Sequence, residues 1–141
     1  KHIQAIHRHI FQDVYPWAGE YRTVNISRSG DSFAFCEHIA SNLDRICGEL
    51  QAEKLLSGLS LDAFAKRAAY FLGEINAIHP FRDGNGRTQR EYIRQLSIRN
   101  GFPLHWARIS RDQMYDASVR SFKQCDYSGL EQILRDSIVV A

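Results

Sequence analysis

The sequence predicts an all-α domain of about six helices with one short β-hairpin. Three observations predict it: apolar residues recur at helical spacing through most of the chain, strand-like alternation appears in a single stretch, and no repeat, low-complexity run or linker divides the rest. At 141 residues the chain has room for one domain spanning 1–141. Its 44% hydrophobic and 24% charged residues are those of a globular protein, not of a disordered tail or a rod. It begins with Lys1 rather than Met, which suggests a fragment or processed form of a longer protein.

Ile3, Ile6, Ile10, Phe11 and Val14 give a first amphipathic helix over residues 1–14, ending before Pro16. Between Tyr21 and Phe35 the pattern changes to alternation around Val24 and Ile26, with a Ser29–Asp31 turn, so residues 21–35 read as the hairpin. Ile39, Leu43, Ile46 and Leu50 carry a second helix toward Ser57-Gly58. A third follows Ser60, with Phe64, Ala68, Phe71, Leu72, Ile75 and Ile78 on its apolar side, and must stop at Pro80, leaving His79 at the break. A fourth runs from Arg87 to Asn100, closed by Gly101. Ser110 with Gln113, and Ser128 with Glu131, are capping-box signatures that open the last two.

Composition excludes several functions. Eighteen Lys and Arg against sixteen Asp and Glu leave a net charge of +2, too little for a protein that coats nucleic acid. No run approaches the roughly 20 apolar residues of a membrane span. Cys36, Cys47 and Cys125 lack CxxC spacing and read as reduced, intracellular thiols, not a disulfide framework or a zinc site. His2, His7 and His9 have no i, i+4 pair to hold a metal and read as helix surface or packing. Tyr15 and Trp17 read as core residues, and Arg82, Arg94 and Arg99 as solvated charges.

The chemistry is concentrated in His79-Pro80-Phe81-Arg82-Asp83-Gly84-Asn85-Gly86-Arg87-Thr88-Gln89-Arg90, between two helices. Two glycines let backbone amides approach an anion, and the helix that follows offers unpaired N–H groups and its positive dipole end. It is neither a Walker A sequence nor a dinucleotide fingerprint. Arg87 and Arg90, three apart, put two guanidinium groups on one face toward a polyphosphate. Asp83 is a hard oxygen donor suited to Mg²⁺ bridging phosphate oxygens. A neutral His79 can take a proton from an attacking hydroxyl. The set describes phosphoryl or nucleotidyl transfer.

This stretch resembles the active-site motif of the Fic-domain family, His-x-Phe-x-Asp/Glu-Gly-Asn-Gly-Arg-x-x-Arg, at every fixed position. Tyr15-Pro16-Trp17-Ala18-Gly19 and Thr23–Ser27 are also similar, so the resemblance spans nearly the whole chain. It implies transfer of AMP from Mg-ATP to a Tyr, Ser or Thr hydroxyl of a target protein, with release of pyrophosphate. By position, His79 is then the base, Asp83 the Mg²⁺ ligand, and Asn85 with the Gly84 and Gly86 amides the hole for the α-phosphate. Arg87 contacts the β-phosphate, Arg90 the γ-phosphate, and Phe81 supports the loop. The hairpin is the flap that docks the target by strand addition along Ile26, Ser27 and Arg28.

Family members are often restrained by a helix with the pattern Ser/Thr-x-x-x-Glu-Gly/Asn, whose glutamate pairs with the second arginine. None of the seven glutamates here is followed by Gly or Asn, so an antitoxin-like partner or an upstream segment acting on Arg90 is expected to supply it. The alternatives are transfer of UMP, phosphocholine or phosphate by the same site, and a non-catalytic binding module. Intact Gly86 favours AMP, since phosphate-transferring relatives depart at that glycine; intact His79 and Asp83 favour catalysis. The resemblance places the protein in a bacterial cytoplasm as a toxin, or in a host cell as a delivered effector.

Overall fold

A computed structural model describes residues 2–28 and 30–139. Its helices are α1 (His2–Phe11), α2 (Ile39–Ala52), α3 (Leu61–Ile78), α4 (Asn85–Arg99), α5 (Arg111–Gln124) and α6 (Ser128–Ser137), with strands β1 (Ser27–Arg28) and β2 (Asp31–Ser32) between α1 and α2. The all-α architecture with one hairpin is therefore as the sequence predicts. Among the described residues no helix is long and apolar enough to cross a membrane.

α3 is the hub because apolar residues cover most of its circumference: Phe64, Ala65, Ala68, Ala69, Phe71, Leu72, Ile75 and Ile78 are all buried. It packs against α2, α4, α5 and α6, while α1 lies across α4. Its start is fixed by Ser60, whose side chain accepts from the Ala63 N–H at 3.2 Å. Its end is fixed by His79, which adopts a left-handed conformation (φ 51°, ψ 65°) before Pro80. α4 then starts from Gly84, also left-handed at φ 80°. A Cβ on Gly84 would collide with the Phe11 ring of α1, so glycine is required there for both torsion and space.

Several boundaries differ from the sequence expectation. α1 stops at Phe11, whose carbonyl accepts from both Val14 and Tyr15 N–H in a closing turn, and Val14 is left 65% exposed. The approach to Pro16 unwinds the helix a turn early. α2 ends at Ala52, because Lys54, Leu55 and Leu56 turn through positive φ to bury Leu56. α4 begins two residues earlier than expected, at Asn85, and ends at Arg99. The Ser110 capping box of α5 is present in both directions. That of α6 is not: Tyr127 is the cap position, and Ser128 instead donates through its hydroxyl and its N–H to Asp126 Oδ1. The carboxylate is the stronger acceptor, and it draws Ser128 into the helix.

The hairpin is shorter than the alternation suggests. Ser27 pairs with Ser32 and Arg28 with Asp31, and one further bond, Phe33 N–H to Ile26 O, extends the ladder. Below that point the stem bonds to α3 and its end instead of to itself: Arg22 N–H donates to Pro80 O and Ala34 N–H to Ala77 O. Ser29, in the expected turn, lies outside the described residues, as does Lys1 of the expected first helix.

Candidate active site

The break between α3 and α4 opens into a cleft of about 760 Å³, lined by His79, Asp83, Gly84, Asn85, Gly86, Arg87 and Arg90, by Ile26, Ser27 and Arg28 of the hairpin, and by Trp106, Arg111 and Met114 beyond α4. Phe81 alone of the expected site residues is fully buried, beneath the loop. The sequence segment and the hairpin edge thus share one cavity of the size that takes a nucleotide.

His79 is 9% exposed. Its Nδ1 lies 3.1 Å from Asn76 O, a carbonyl that only an N–H can serve, so Nδ1 carries the proton and Nε2 keeps a free lone pair. The ring is stacked on Phe33, centroids 3.9 Å apart and planes 9° apart. Burial pushes its pKa down to about 4, the Asn76 bond opposes this, and Arg28 and Arg22 add to the lowering. The imidazole is neutral at pH 7, as a base must be.

The loop after it is braced from below. Asn85 accepts from Phe81 N–H with Oδ1 (2.9 Å) and donates to Phe81 O with Nδ2 (2.7 Å), closing the loop on itself. The Phe81 ring is stacked on His7 at 3.9 Å. His7 is fully buried; its Nδ1 accepts from Gly19 N–H, which leaves Nε2–H to donate to Asp83 O at 2.9 Å. Burial also lowers its pKa, in keeping with a neutral, fixed tautomer.

Asp83 has Oδ1 on the Gly84 N–H (2.8 Å) and Oδ2 on the Tyr15 hydroxyl (2.6 Å), and these bonds, the tyrosine's first, hold its pKa below the usual carboxylate value. Tyr15, expected in the core, is half-buried beside Asp83, stacked on Trp17 at 4.2 Å. Its hydroxyl needs a polar partner that the core lacks. The Gly84 amide, expected to face a phosphate, is here taken by Asp83. The orphan donors of the next turn, at residues 85–87, are the first N–H groups of α4, and Gly84 provides no side chain to cap them.

Arg28, Arg82, Arg87, Arg90 and Arg111 line the cleft, and among the described residues none has an ion-pair partner. Elsewhere Arg45, Arg67, Arg94, Arg120 and Arg135 are paired, while Arg8, Arg22, Arg99 and Arg108 have no ion pair among the described residues. Five such arginines around one cleft make it locally positive in a chain of net charge only +2, which favours an anion there. Burial, with Arg87 and Arg111 nearby, lowers the pKa of Arg90. A Cβ on Gly86 would sit 3.0 Å from Arg90 Nη1, so the missing side chain makes room for that guanidinium. Trp106 Nε1–H holds the Arg90 carbonyl.

Sequence reasoning missed Arg111, Arg22, Phe33 and the roles of His7 and Tyr15. The Ser110 capping box put Arg111 in the first turn of a helix, but no spacing told which cleft that turn faces.

A helix-loop-helix carrying a neutral histidine, an amide-rich helix start and unpaired arginines, with a hairpin alongside, defines the class. The chain belongs to the Fic/DOC family, whose model matches residues 1–96. It is 44% identical over 121 residues to the protein adenylyltransferase VbhT of Bartonella schoenbuchensis, covering 86% of this chain and 25% of that protein. The chain thus spans a quarter of that relative's length. In structure it is similar to the N-terminal Fic domain of a VirB-translocated Bep effector of Bartonella quintana solved with bound ADP (TM-score 0.90, 25% identity, 98% of this chain and 72% of that one). It is also similar to BepC of Bartonella tribocorum solved with AMPPNP (TM-score 0.89, 22% identity, 99% and 74%).

Proposed function

We propose that the chain is a single Fic domain that transfers AMP from ATP to a hydroxyl side chain of a target protein. The observation that carries this reading is the free Nε2 of a neutral His79 in the same cleft as the open N-terminus of α4 and the unpaired Arg87 and Arg90. His79 Nε2 takes the hydroxyl proton as the oxygen bonds to the α-phosphorus, and the bond from that phosphorus to the bridging oxygen breaks, releasing pyrophosphate. The N–H groups at residues 85–87, with Asn85 and Gly86 at the turn, receive the charge that grows on the α-phosphate. Arg87 and Arg90 hold the β- and γ-phosphates, and a Cβ at Gly86 would crowd the Arg90 guanidinium at 3.0 Å. The names of VbhT and of the nucleotide-bound relatives support the same reading.

Asp83 suits Mg²⁺: it is exposed and ionised, and each oxygen accepts only one hydrogen bond, leaving lone pairs toward the cleft. Bound there, Mg²⁺ would neutralise charge on the phosphate oxygens. Ile26, Ser27 and Arg28 are the edge to which an extended target segment adds as a strand. A separate small partner, or sequence upstream, restrains the enzyme through Arg90. The place of action is the bacterial cytoplasm or a host cell, and the VirB-translocated relatives support delivery.

The test is incubation with α-labelled ATP, Mg²⁺ and bacterial or eukaryotic lysate, beside His79→Ala. A labelled protein band absent from the variant, with a mass increment of AMP, is the expected result. Label arriving from γ-labelled ATP would replace the reading with phosphate transfer. If neither upstream sequence nor a candidate partner lowers the activity, restraint through Arg90 is wrong.

A further inference from the structure

Arg22 is 2% exposed and has no carboxylate partner among the described residues. All four hydrogen bonds of its guanidinium go to main-chain carbonyls. Nε donates to His79 O (2.7 Å), Nη1 to Val24 O (2.7 Å), and Nη2 to Ile78 O (3.0 Å) and Ala34 O. Val24 and Ala34 are the two sides of the hairpin stem; Ile78 and His79 are the end of α3. Burying a lone cation is costly, and a helix C-terminus is the one place where several orphan carbonyls offset that cost together. The backbone of His79 also sits at φ 51°, a conformation that a non-glycine residue keeps only when its surroundings fix it. Arg22 holds its carbonyl from one side, while its N–H donates to Ile75 O at 2.9 Å on the other.

We propose that Arg22 is a positioning residue that clamps the target-docking hairpin to the backbone of His79, so that strand and base keep one fixed separation. The inference rests on the reading of the hairpin as the docking edge. A planar fork reaches four carbonyls at once, which the single ammonium of lysine cannot do. Arg22 makes no bond to the Gly84–Arg90 turn, so the clamp governs alignment of the acceptor, not retention of the nucleotide.

The test uses Arg22→Lys and Arg22→Gln, with two readouts. In the first, transfer of labelled AMP to protein falls on the order of 10²-fold, as a misplacement of about 1 Å produces, while the Kd of a fluorescent ATP analogue stays within about twofold. The second needs no activity. His79 is stacked on Phe33 and His7 on Phe81, both at 3.9 Å, so the ring protons of both histidines carry ring-current shifts. In Arg22→Lys the His79 resonances move toward ordinary values and those of His7 do not. If both histidines move, with ATP affinity and melting temperature falling together, Arg22 is a general structural residue and the proposal is overturned. If neither moves and transfer continues at the wild-type rate, it is overturned as well. Wild-type protein that transfers no AMP would refute the adenylyltransfer reading, and the two histidines would still decide the clamp.

Discussion

At the scale of single residues the site depends on which nitrogen holds a proton. The bond from Nδ1 to Asn76 O leaves Nε2 of His79 bare, so His79→Ala should lower AMP transfer by about 10²- to 10⁴-fold, the span of general-base catalysis, with ATP affinity kept. Labelled transfer and nucleotide titration check both halves. Burial holds the pKa of His79 at about 4 against 6.5 in the unfolded chain. A folded value below the unfolded one means that its contribution to stability is whole above pH 6.5 and is lost as pH falls toward 4. Histidine NMR of the nucleotide-free protein should therefore show the His79 ring still neutral at pH 5, and an ATP analogue, by bringing negative charge, should raise its titration point. Titration at 6.5 would contradict the burial described. Tyr15→Phe removes the hydroxyl that fixes the orientation of the Asp83 carboxylate, so the Mg²⁺ concentration for half-maximal activity should rise severalfold.

At the scale of elements, what the sequence made legible was what local pattern controls. The apolar period placed α1, α2 and α3, and the Ser110 box placed the start of α5; Ser110→Ala should cost about 1 kcal/mol of stability, measured by urea unfolding, because the orphan amide of Gln113 loses its partner. The His79–Arg90 segment was legible because its residue types and spacing are themselves the chemistry. What was hidden depends on partners distant in the chain. Nothing beside His7 says that its two nitrogens meet Gly19 and Asp83, and a basic residue such as Arg22 reads as surface until the end of α3 is seen to surround it. The hairpin was too long in the sequence reading for the same reason. Its stem alternates like a strand, but Arg22 and Ala34 bond to Pro80 and Ala77.

At the scale of the molecule, the cleft is the convergence of the hairpin, α1, α3, α4 and α5 on one break between helices. The chain's modest net charge conceals a strong local one, since five arginines line the cleft and none of them has an ion-pair partner among the described residues. Nucleotide affinity should accordingly weaken as salt rises, more in wild type than in Arg90→Ala, as calorimetry at two ionic strengths would register.

The ties that hold the site together span 57 residues from Arg22 to His79, 68 from Tyr15 to Asp83 and 76 from His7 to Asp83. A ribosome must therefore release the chain past His79 before any of these bonds can form, and the nascent segment before it is inert until then. Divided in the exposed turn at Gly58, between α2 and α3, the two halves would carry the braces and the base separately, each silent alone. Mixing them would restore the labelled band only if they found each other as the intact chain finds itself.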